Sequence, residues 1–561
     1  MRLWDFLFTL LVLAPIVTGG IWWHQPNFHL EYTQPGAAAV LLALALWWMK
    51  KKKMVNALEE SVVLRFGLQA WSLWRINLAR RPHKTLVAAW VLVSAIWFTT
   101  SLLRHRAFGS GLADLGIFTN AIWNVHSLGY PYSSIKDGLS LLADHQIFLL
   151  YPLGWIFFLW PSPSFLLLLQ AFGLCSGAVA LYFLARQRLG ASHPIVPWLP
   201  IAYWMSGPLR AANRFDFHPE AMMLPLFLFA AWLLQEKEGR KRICGFFLFI
   251  LALAAKESAG PVACGIGLAW ALGAGPPSTR SFTRKLGVFA VVMGLATFYF
   301  DSQVLPQFFG KKYAYENLYA PFGASILSLA LAPFLQPLAF FGRLFSASRI
   351  KFLLGMLLPF GFLPVLAPLA LLAALPGFLM LFLTNGEHRI SLGYHYAIEP
   401  MIGLLFAFPA ALDSTVARRY SPQLLIVLML GSLISFGRSD AYFWRIYQPS
   451  NHQAFVRDKV LPLIDEEKAV SASYGLVGHL STRRWIHQLP ILVDEFQKTV
   501  DCVAWDRSVN NTPMGSKEES DTAIMLKLLE YEKEFSCGSF ALYRKKNISS
   551  CFHRMPVCEE Q

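Results

Sequence analysis

About thirteen apolar runs of roughly 15 to 22 residues recur along this chain, at 7–23, 36–49, 86–103, 164–185, 195–210, 220–235, 242–256, 258–274, 285–302, 328–345, 351–370, 396–412 and 421–437. A helix gains about 1.5 Å per residue, so a run of that length reaches across, or nearly across, a hydrocarbon layer of about 30 Å. The 561 residues include 45 Phe and are 55% hydrophobic but only 15% charged, with a mean hydropathy of +0.44. A water-soluble core of this size would not bury that much apolar surface. The reading is therefore an α-helical polytopic membrane protein of about 13 spans. The shorter runs 36–49 and 195–210 suit tilted, broken or half-buried helices. Two more apolar stretches, 145–160 and 371–384, fit no in/out alternation; with Pro152 and Pro376 they read as re-entrant or interfacial helices beside a cavity.

Lysine and arginine orient the spans. With Lys50-Lys51-Lys52-Lys53 on the cytoplasmic side, alternation places 54–85, Arg186/Arg188, Lys237 to Arg242, Arg280 to Lys285, Arg343 to Lys351 and Arg418-Arg419 there too. Those inner segments, with Arg2, hold 24 basic residues against 6 acidic, whereas the outer segments up to Asp440 hold 10 basic and 12 acidic. That bias obeys the positive-inside rule. It also accounts for the formal net charge of +15, because residues 441–561 carry 15 basic and 16 acidic side chains and contribute only −1 to it. The implied partner of the charge is anionic membrane lipid of the inner leaflet; with no separate basic domain, nucleic acid is excluded as a partner.

Three regions follow. Residues 1–85 form an N-terminal anchor hairpin with a cytoplasmic surface helix. The first run could pass for a signal peptide, but Asp5, a second span and the tetra-lysine stop favour an uncleaved anchor, and the apolar residues mixed with Arg65, Arg75, Arg80 and Arg81 suit a helix on the membrane surface. Residues 86–440 form the transmembrane bundle. Residues 441–561 are mixed and polar, an α/β domain on the outer side of what would be a bacterial plasma (inner) membrane. There Val470–Tyr474 and Ile491–Val493 read as strands, and Asp521–Phe535 as a charged helix with Ile524, Met525, Leu528 and Leu529 on its apolar face. Cys502, Cys537, Cys551 and Cys558 all lie in this extracytoplasmic domain, where disulfides persist, and three pairings are open to them. No C-x-x-C pair supports zinc. Cys175, Cys244 and Cys264 fall in spans and read as small packing residues.

Twelve of the eighteen acidic residues before position 441 fall on the outer side, mostly in short polar islands between apolar runs. Ionisable groups at a span end are costly unless they line a wet cavity or a reaction site. Asp114 follows the span 86–103 and suits a general base that is partly desolvated yet reachable from water; its plainer reading is the N-cap of a helix over 115–125. Asp216, His218 and Glu220, at i, i+2 and i+4 beside Arg210 and Arg214, could bind a divalent cation or position a phosphate. The plainer reading there is a cap on the helix 220–235, with Pro219 in its first turn. Lys256-Glu257 reads either as a self-paired surface ion pair or as a lysine aimed at a phosphate and held by Glu257. Asp144-His145, and His395-Tyr396 with Glu399, complete the islands.

Leu112–Phe118, Asp144-His145 with Pro152, Leu168-Leu169-Gln170, Asp216–Pro219, Lys256-Glu257, His395-Tyr396, Ser471-Ala472-Ser473 and His479–Arg483 together resemble a bacterial and archaeal family of predicted multi-span membrane proteins of unknown function, over roughly residues 86–500. That family is similar to the GT-C membrane glycosyltransferases, which use lipid-phosphate-linked sugars and keep an acidic residue in the first large outer loop. The resemblance implies a GT-C-like bundle, Asp114 as catalytic base and a polyprenyl-phosphate sugar donor as partner. Asp144, His145, Arg210, Arg214, Asp216, His218, Glu220, Lys256, Glu257, His395, Tyr396 and Glu399 would bind substrate. Leu112 and Gly116 stand two residues either side of Asp114, so the Asp-x-Asp or Glu-x-Asp pattern that would hold a metal is missing. The alternatives are a transporter or lipid flippase, in which the same carboxylates carry ions, and a non-catalytic envelope scaffold.

Overall fold

In the computed structural model the described residues are 62–558, apart from 111, 137, 314, 324–325, 437–446, 495 and 512–513. The expected spans 7–23 and 36–49, the tetra-lysine and the signal-anchor question lie outside them. Among the described residues four helices are long and apolar enough to cross a membrane: Pro82–Arg106, Pro163–Leu189, Pro277–Phe308 and His395–Leu412. Glu220–Leu234, Ala259–Ala271 and Ser421–Phe436 are shorter apolar helices.

Local chemistry sets where these helices begin and end. Pro82 and Pro163 sit in the first turn, where a missing N–H costs nothing, and Ser162 caps the second by accepting from the Ser164 N–H at 3.3 Å. Gly190, at φ +85°, ends that helix in a conformation a side chain would oppose. The run 195–210 is broken. Ser206 is extended and Gly207-Pro208 restarts the chain, giving Leu199–Met205 and Gly207–Arg214. The run 328–345 divides in the same way before Pro337, into Ile326–Leu335 and Pro337–Leu344. The stretches 145–160 and 371–384 contain only the short helices Leu150–Phe157 and Leu375–Phe382, and Trp155, Phe158 and Leu159 of the first point outward.

The bundle is apolar outside as well as inside. Val288, Val292, Leu295 and Tyr299 form an exposed stripe at helical spacing, as do Ile243, Phe246, Phe247 and Ile250, the outward faces a helix presents to lipid. Cys244 is exposed within that second stripe, which corrects its reading as an interior packing residue; Cys175 is buried. With no hydrophobic gain from leaving lipid, helices there associate through close backbone packing. Ala259–Ala271 and Arg280–Tyr299 meet at glycines: a Cβ on Gly267 would stand 2.6 Å from the Gly287 carbonyl oxygen, and one on Gly294 2.5 Å from that of Gly260.

Past the bundle lies a five-stranded sheet. Its strands are β3 (Val470–Ala472), β4 (Ile486–Gln488), β5 (Cys502–Asp506), β6 (Tyr531–Cys537) and β7 (Phe540–Lys545), with β1 (Tyr132–Ser133) and β2 (Leu139–Ser140) forming a separate small hairpin. The order is β4-β3-β5-β7-β6, with β3 parallel to both neighbours and β7 antiparallel to both of its own. Val470 was correctly placed in a strand. Ile491–Val493 was not: Val493 makes only an isolated bridge to Thr499, and the strand falls earlier at Ile486–Gln488. The charged helix is Ser516–Leu528, and its second expected half is strand β6. Ile524, Met525 and Leu528 face outward while Thr522 and Leu526 are buried, so its apolar face was assigned to the wrong side. The disulfides take one of the three open pairings, Cys502–Cys551 and Cys537–Cys558, and stitch the C-terminal tail to β5 and β6. Zinc has no place there.

This sheet unit docks where Asp114 lies. Asn120 Nδ2 donates to the Arg483 carbonyl at 2.7 Å, Ser134 Oγ donates to that of Ile486 at 2.8 Å, and His479 Nε2 lies 3.0 Å from the carbonyl oxygen of His105. Gly267→Val should lower the unfolding temperature of the detergent-solubilised chain, at a cost of about 1–3 kcal/mol for overpacking. An unchanged transition would contradict the close helix contact.

Candidate active-site cavity

Gln170 lies in the apolar helix Pro163–Leu189 and is fully buried. An amide there must satisfy its donors and acceptor internally. It donates to the carbonyls of Ala212, Asn213 and Asp216 at 3.3, 3.2 and 3.0 Å, and accepts from the His218 N–H at 2.8 Å. One side chain thus shapes the turn that aims His218. Asp216 is fixed by Arg104 at 2.7 Å, and the helix after the turn starts at Glu220 with no side-chain cap. The cap reading of Asp216 fails.

The cap reading of Asp114 fails too. It lies in a π-helical turn, Leu112–Gly116, before the helix Ile117–Leu128, whose N-cap Gly116 offers no side chain. Instead Asp114 Oδ1 lies 3.1 Å from His218 Nε2, while His218 Nδ1 lies 3.1 Å from the Asp216 carbonyl. Both partners are acceptors, so both ring nitrogens carry protons and His218 is an imidazolium. Burial alone would lower its pKa, but the charge and hydrogen bond of Asp114, with Glu220 beyond, outweigh burial and raise it. Its ring stacks on His395 at 3.6 Å.

Lys256 and Glu257 do not pair with each other as a surface dipeptide. Lys256 Nζ reaches Glu220 at 2.8 Å, and Glu257 pairs with His145 Nδ1 at 3.0 Å. Glu220 is fully buried, and His395 Nε2 stands 3.3 Å from the same oxygen that Lys256 holds. Burial opposes charge on Lys256, and the surrounding carboxylates, Glu220 first, still keep its pKa raised. A second chain runs alongside. Tyr315 donates to Asp144 at 3.2 Å and lies 2.7 Å from His145 Nε2, and Lys136 pairs with Asp144 at 2.9 Å. Burial works against the Asp144 carboxylate, yet His145 and Lys136 together hold its pKa down.

Both chains face one cavity of about 610 Å³. Of the thirteen residues singled out from sequence, nine line it: Asp114, His145, His218, Glu220, Lys256, Glu257, His395, Tyr396 and Glu399. Asp144 stands behind Tyr315, and Asp216 shapes the turn. Arg210 and Arg214 do not reach the lining: Arg210 donates to the Ser435 carbonyl at 2.9 Å and to that of Phe436, and the Arg214 carbonyl accepts from Arg104 at 2.9 Å. Tyr313, Tyr315, Tyr319, Glu316 and Arg389 also line the cavity and were missed in the sequence. They stand outside the acidic islands, although the Tyr-x-Tyr of Tyr313 and Tyr315 after Lys311-Lys312 was a polar signal that could have been followed. Apolar residues complete the lining, Phe298, Leu329, Pro333, Phe340, Leu379 and Leu383 among them, and Leu329, Phe340, Leu379 and Leu383 pack in one cluster.

Ligand atoms of His218, Glu220 and His395 lie within 4.8 Å of one another and so have metal-like spacing. The donor set fits a cation poorly. Lys256 already neutralises Glu220, and both His218 nitrogens are committed, so His218 could ligate an ion only by giving up Asp114 or the Asp216 carbonyl.

The His218 imidazolium has a consequence for stability. A histidine whose folded pKa is raised stabilises fully below its unfolded value of about 6.5, and that contribution disappears as pH climbs through the folded value. The unfolding temperature of wild type should therefore exceed that of His218→Asn most at mildly acidic pH, with the gap narrowing above neutrality. A gap that widens with pH would contradict the assignment.

No curated protein matches the chain. Two solved structures of ArnT from Cupriavidus metallidurans are similar, one bound to undecaprenyl phosphate and one in the apo state. Each is 13% identical; the TM-scores are 0.47 and 0.45, covering 84% of this chain and 99% and 100% of theirs. A likeness that distant assigns neither reaction nor substrate. A family model described as predicted membrane protein (DUF2079) matches residues 104–539, which takes in both charged chains and the cavity they face, and the chain belongs to that family.

Proposed function

We propose that this protein is a membrane glycosyltransferase that moves a sugar from a polyprenyl-phosphate-linked donor to an acceptor hydroxyl of the cell envelope, at the outer face of the membrane. The observation that carries the reading is the mixed lining of the cavity. It joins Asp114, His218 and the buried Lys256–Glu220 pair to an apolar cluster that includes Leu329, Phe340, Leu379 and Leu383. A lipid-linked phosphosugar has the same division between a charged head and a hydrocarbon tail.

In this reaction the acceptor oxygen attacks the anomeric carbon while the bond from that carbon to the phosphate oxygen breaks, and the polyprenyl phosphate leaves with the electron pair. Asp114 takes the acceptor proton, and configuration inverts. The imidazolium of His218 fixes the carboxylate in place for that step. A phosphate leaving group needs charge stabilisation rather than a proton, and because Lys256 is paired with Glu220 that positive charge would come from elsewhere on the cavity lining. Asp144, through Tyr315, together with His145, Glu257 and Glu399, would order sugar hydroxyls. Residues 441–561 would lie outside the cytoplasm, above the Asp114 turn on which the sheet unit docks, and would present the acceptor; 1–85 would anchor the chain.

Asp114→Asn should lower sugar transfer by about 10²–10⁴-fold, the usual range for a positioned base, with protein level unchanged. The measurement is mass spectrometry of envelope glycans in a deletion strain complemented with either form. Full transfer by the variant would remove Asp114 as the base.

A further inference from the structure

Among the described residues of the cavity lining, Arg389 is a cation with no ion pair. Lys256 is neutralised by Glu220 at 2.8 Å, and the carboxylates of Asp114 and Glu257 are engaged by His218 at 3.1 Å and His145 at 3.0 Å. Arg389 also lines the cavity, and among the described residues its guanidinium makes no ion pair and its Nε, shut off from solvent, has no hydrogen-bond partner. The carboxylate nearest to it in sequence, Glu387, is taken by Arg349 at 2.9 Å. A half-buried guanidinium left in this way has a strong unmet demand for an anion, and its planar fork matches phosphate oxygens in pairs.

Its placement relates this demand to the chemistry. The guanidinium carbon lies 5.2 Å from the centre of the Tyr396 ring, Tyr396 is 4.1 Å from His395, and His395 stacks at 3.6 Å on His218, which holds Asp114. Arg389 and Asp114 therefore stand at the two ends of one run of side-chain contacts among residues that line the cavity. The guanidinium is held against the tyrosine ring by a cation–π contact.

We propose that Arg389 is the phosphate-binding residue of this cavity, gripping the phosphate of a polyprenyl-phosphate lipid, a diester while the sugar is attached and a monoester once it has left, with Asp114 at the sugar end. This assignment rests on the glycosyltransferase reading for its lipid but not for its anion. The leaving phosphate would be held by an arginine that no acidic island contains.

The test is equilibrium binding to the detergent-solubilised full chain, with three probes: a polyprenyl monophosphate, the matching polyprenol, and inorganic phosphate. Wild type should bind the monophosphate, Arg389→Gln should bind it roughly ten- to hundredfold more weakly, the range for a lost hydrogen-bonded charge, and Arg389→Lys should fall between them. Polyprenol binding should be equal in wild type and Arg389→Gln, which also shows that the variant is folded. Unchanged binding of the monophosphate by Arg389→Gln overturns the assignment and leaves the glycosyltransferase reading standing. Binding of inorganic phosphate as tightly as the lipid, lost in Arg389→Gln, keeps the phosphate site and removes the lipid donor. Equal affinity of wild type for monophosphate and polyprenol overturns both.

Discussion

The contact between Lys256 and Glu220 governs how this bundle closes. Glu220 has no exposure to solvent, and an isolated carboxylate there would be prohibitively costly. An ammonium at 2.8 Å and an imidazole at 3.3 Å make the burial tolerable, and removing one partner of such a pair costs about 3–5 kcal/mol. To satisfy one charge, three separate segments must meet: the start of Glu220–Leu234, the turn before Ala259–Ala271, and the turn leading into His395–Leu412. The walls of the cavity follow from that requirement.

Around this pair the remaining polar groups fall into place by the same logic. Gln170, fully buried in a long apolar helix, is satisfied by the end of Gly207–Arg214 and the turn at Asp216–His218, and satisfying it aims the histidine at Asp114. The sheet unit then docks beside the Asp114 turn through Asn120 and Ser134. Asp114 is held by His218 on one side and by a docked unit near its turn. That is the pre-organisation the proposed role as base would require.

Much of this was legible in the residues, for a physical reason. Charges at span ends are expensive, so Asp114, His218, Glu220, Lys256, Glu257 and His395 announced themselves, and they do line one cavity. Their partners were not legible. Lys256 beside Glu257 suggested a local pair, yet each reaches a distant segment, and Arg210, near Asp216 in the chain, turns to backbone carbonyls instead. Arg389 was invisible because its significance lies in what it lacks, and a missing partner is a property of the fold. In the sheet unit, the boundary between Ser516–Leu528 and β6 was lost because Ile524, Met525 and Leu528 mimic an amphipathic face that in fact looks outward.

The central claim is that the cavity breaks the bond between a sugar and a lipid phosphate. The most direct measurement reconstitutes the full chain alone in vesicles containing a synthetic polyprenyl-phosphate sugar and a hydroxyl acceptor, and follows the lipid by mass spectrometry. The account predicts the appearance of free polyprenyl phosphate, matched by acceptor that has gained one sugar. Donor that crosses the bilayer intact, with no free polyprenyl phosphate formed, would contradict it and make the protein a carrier.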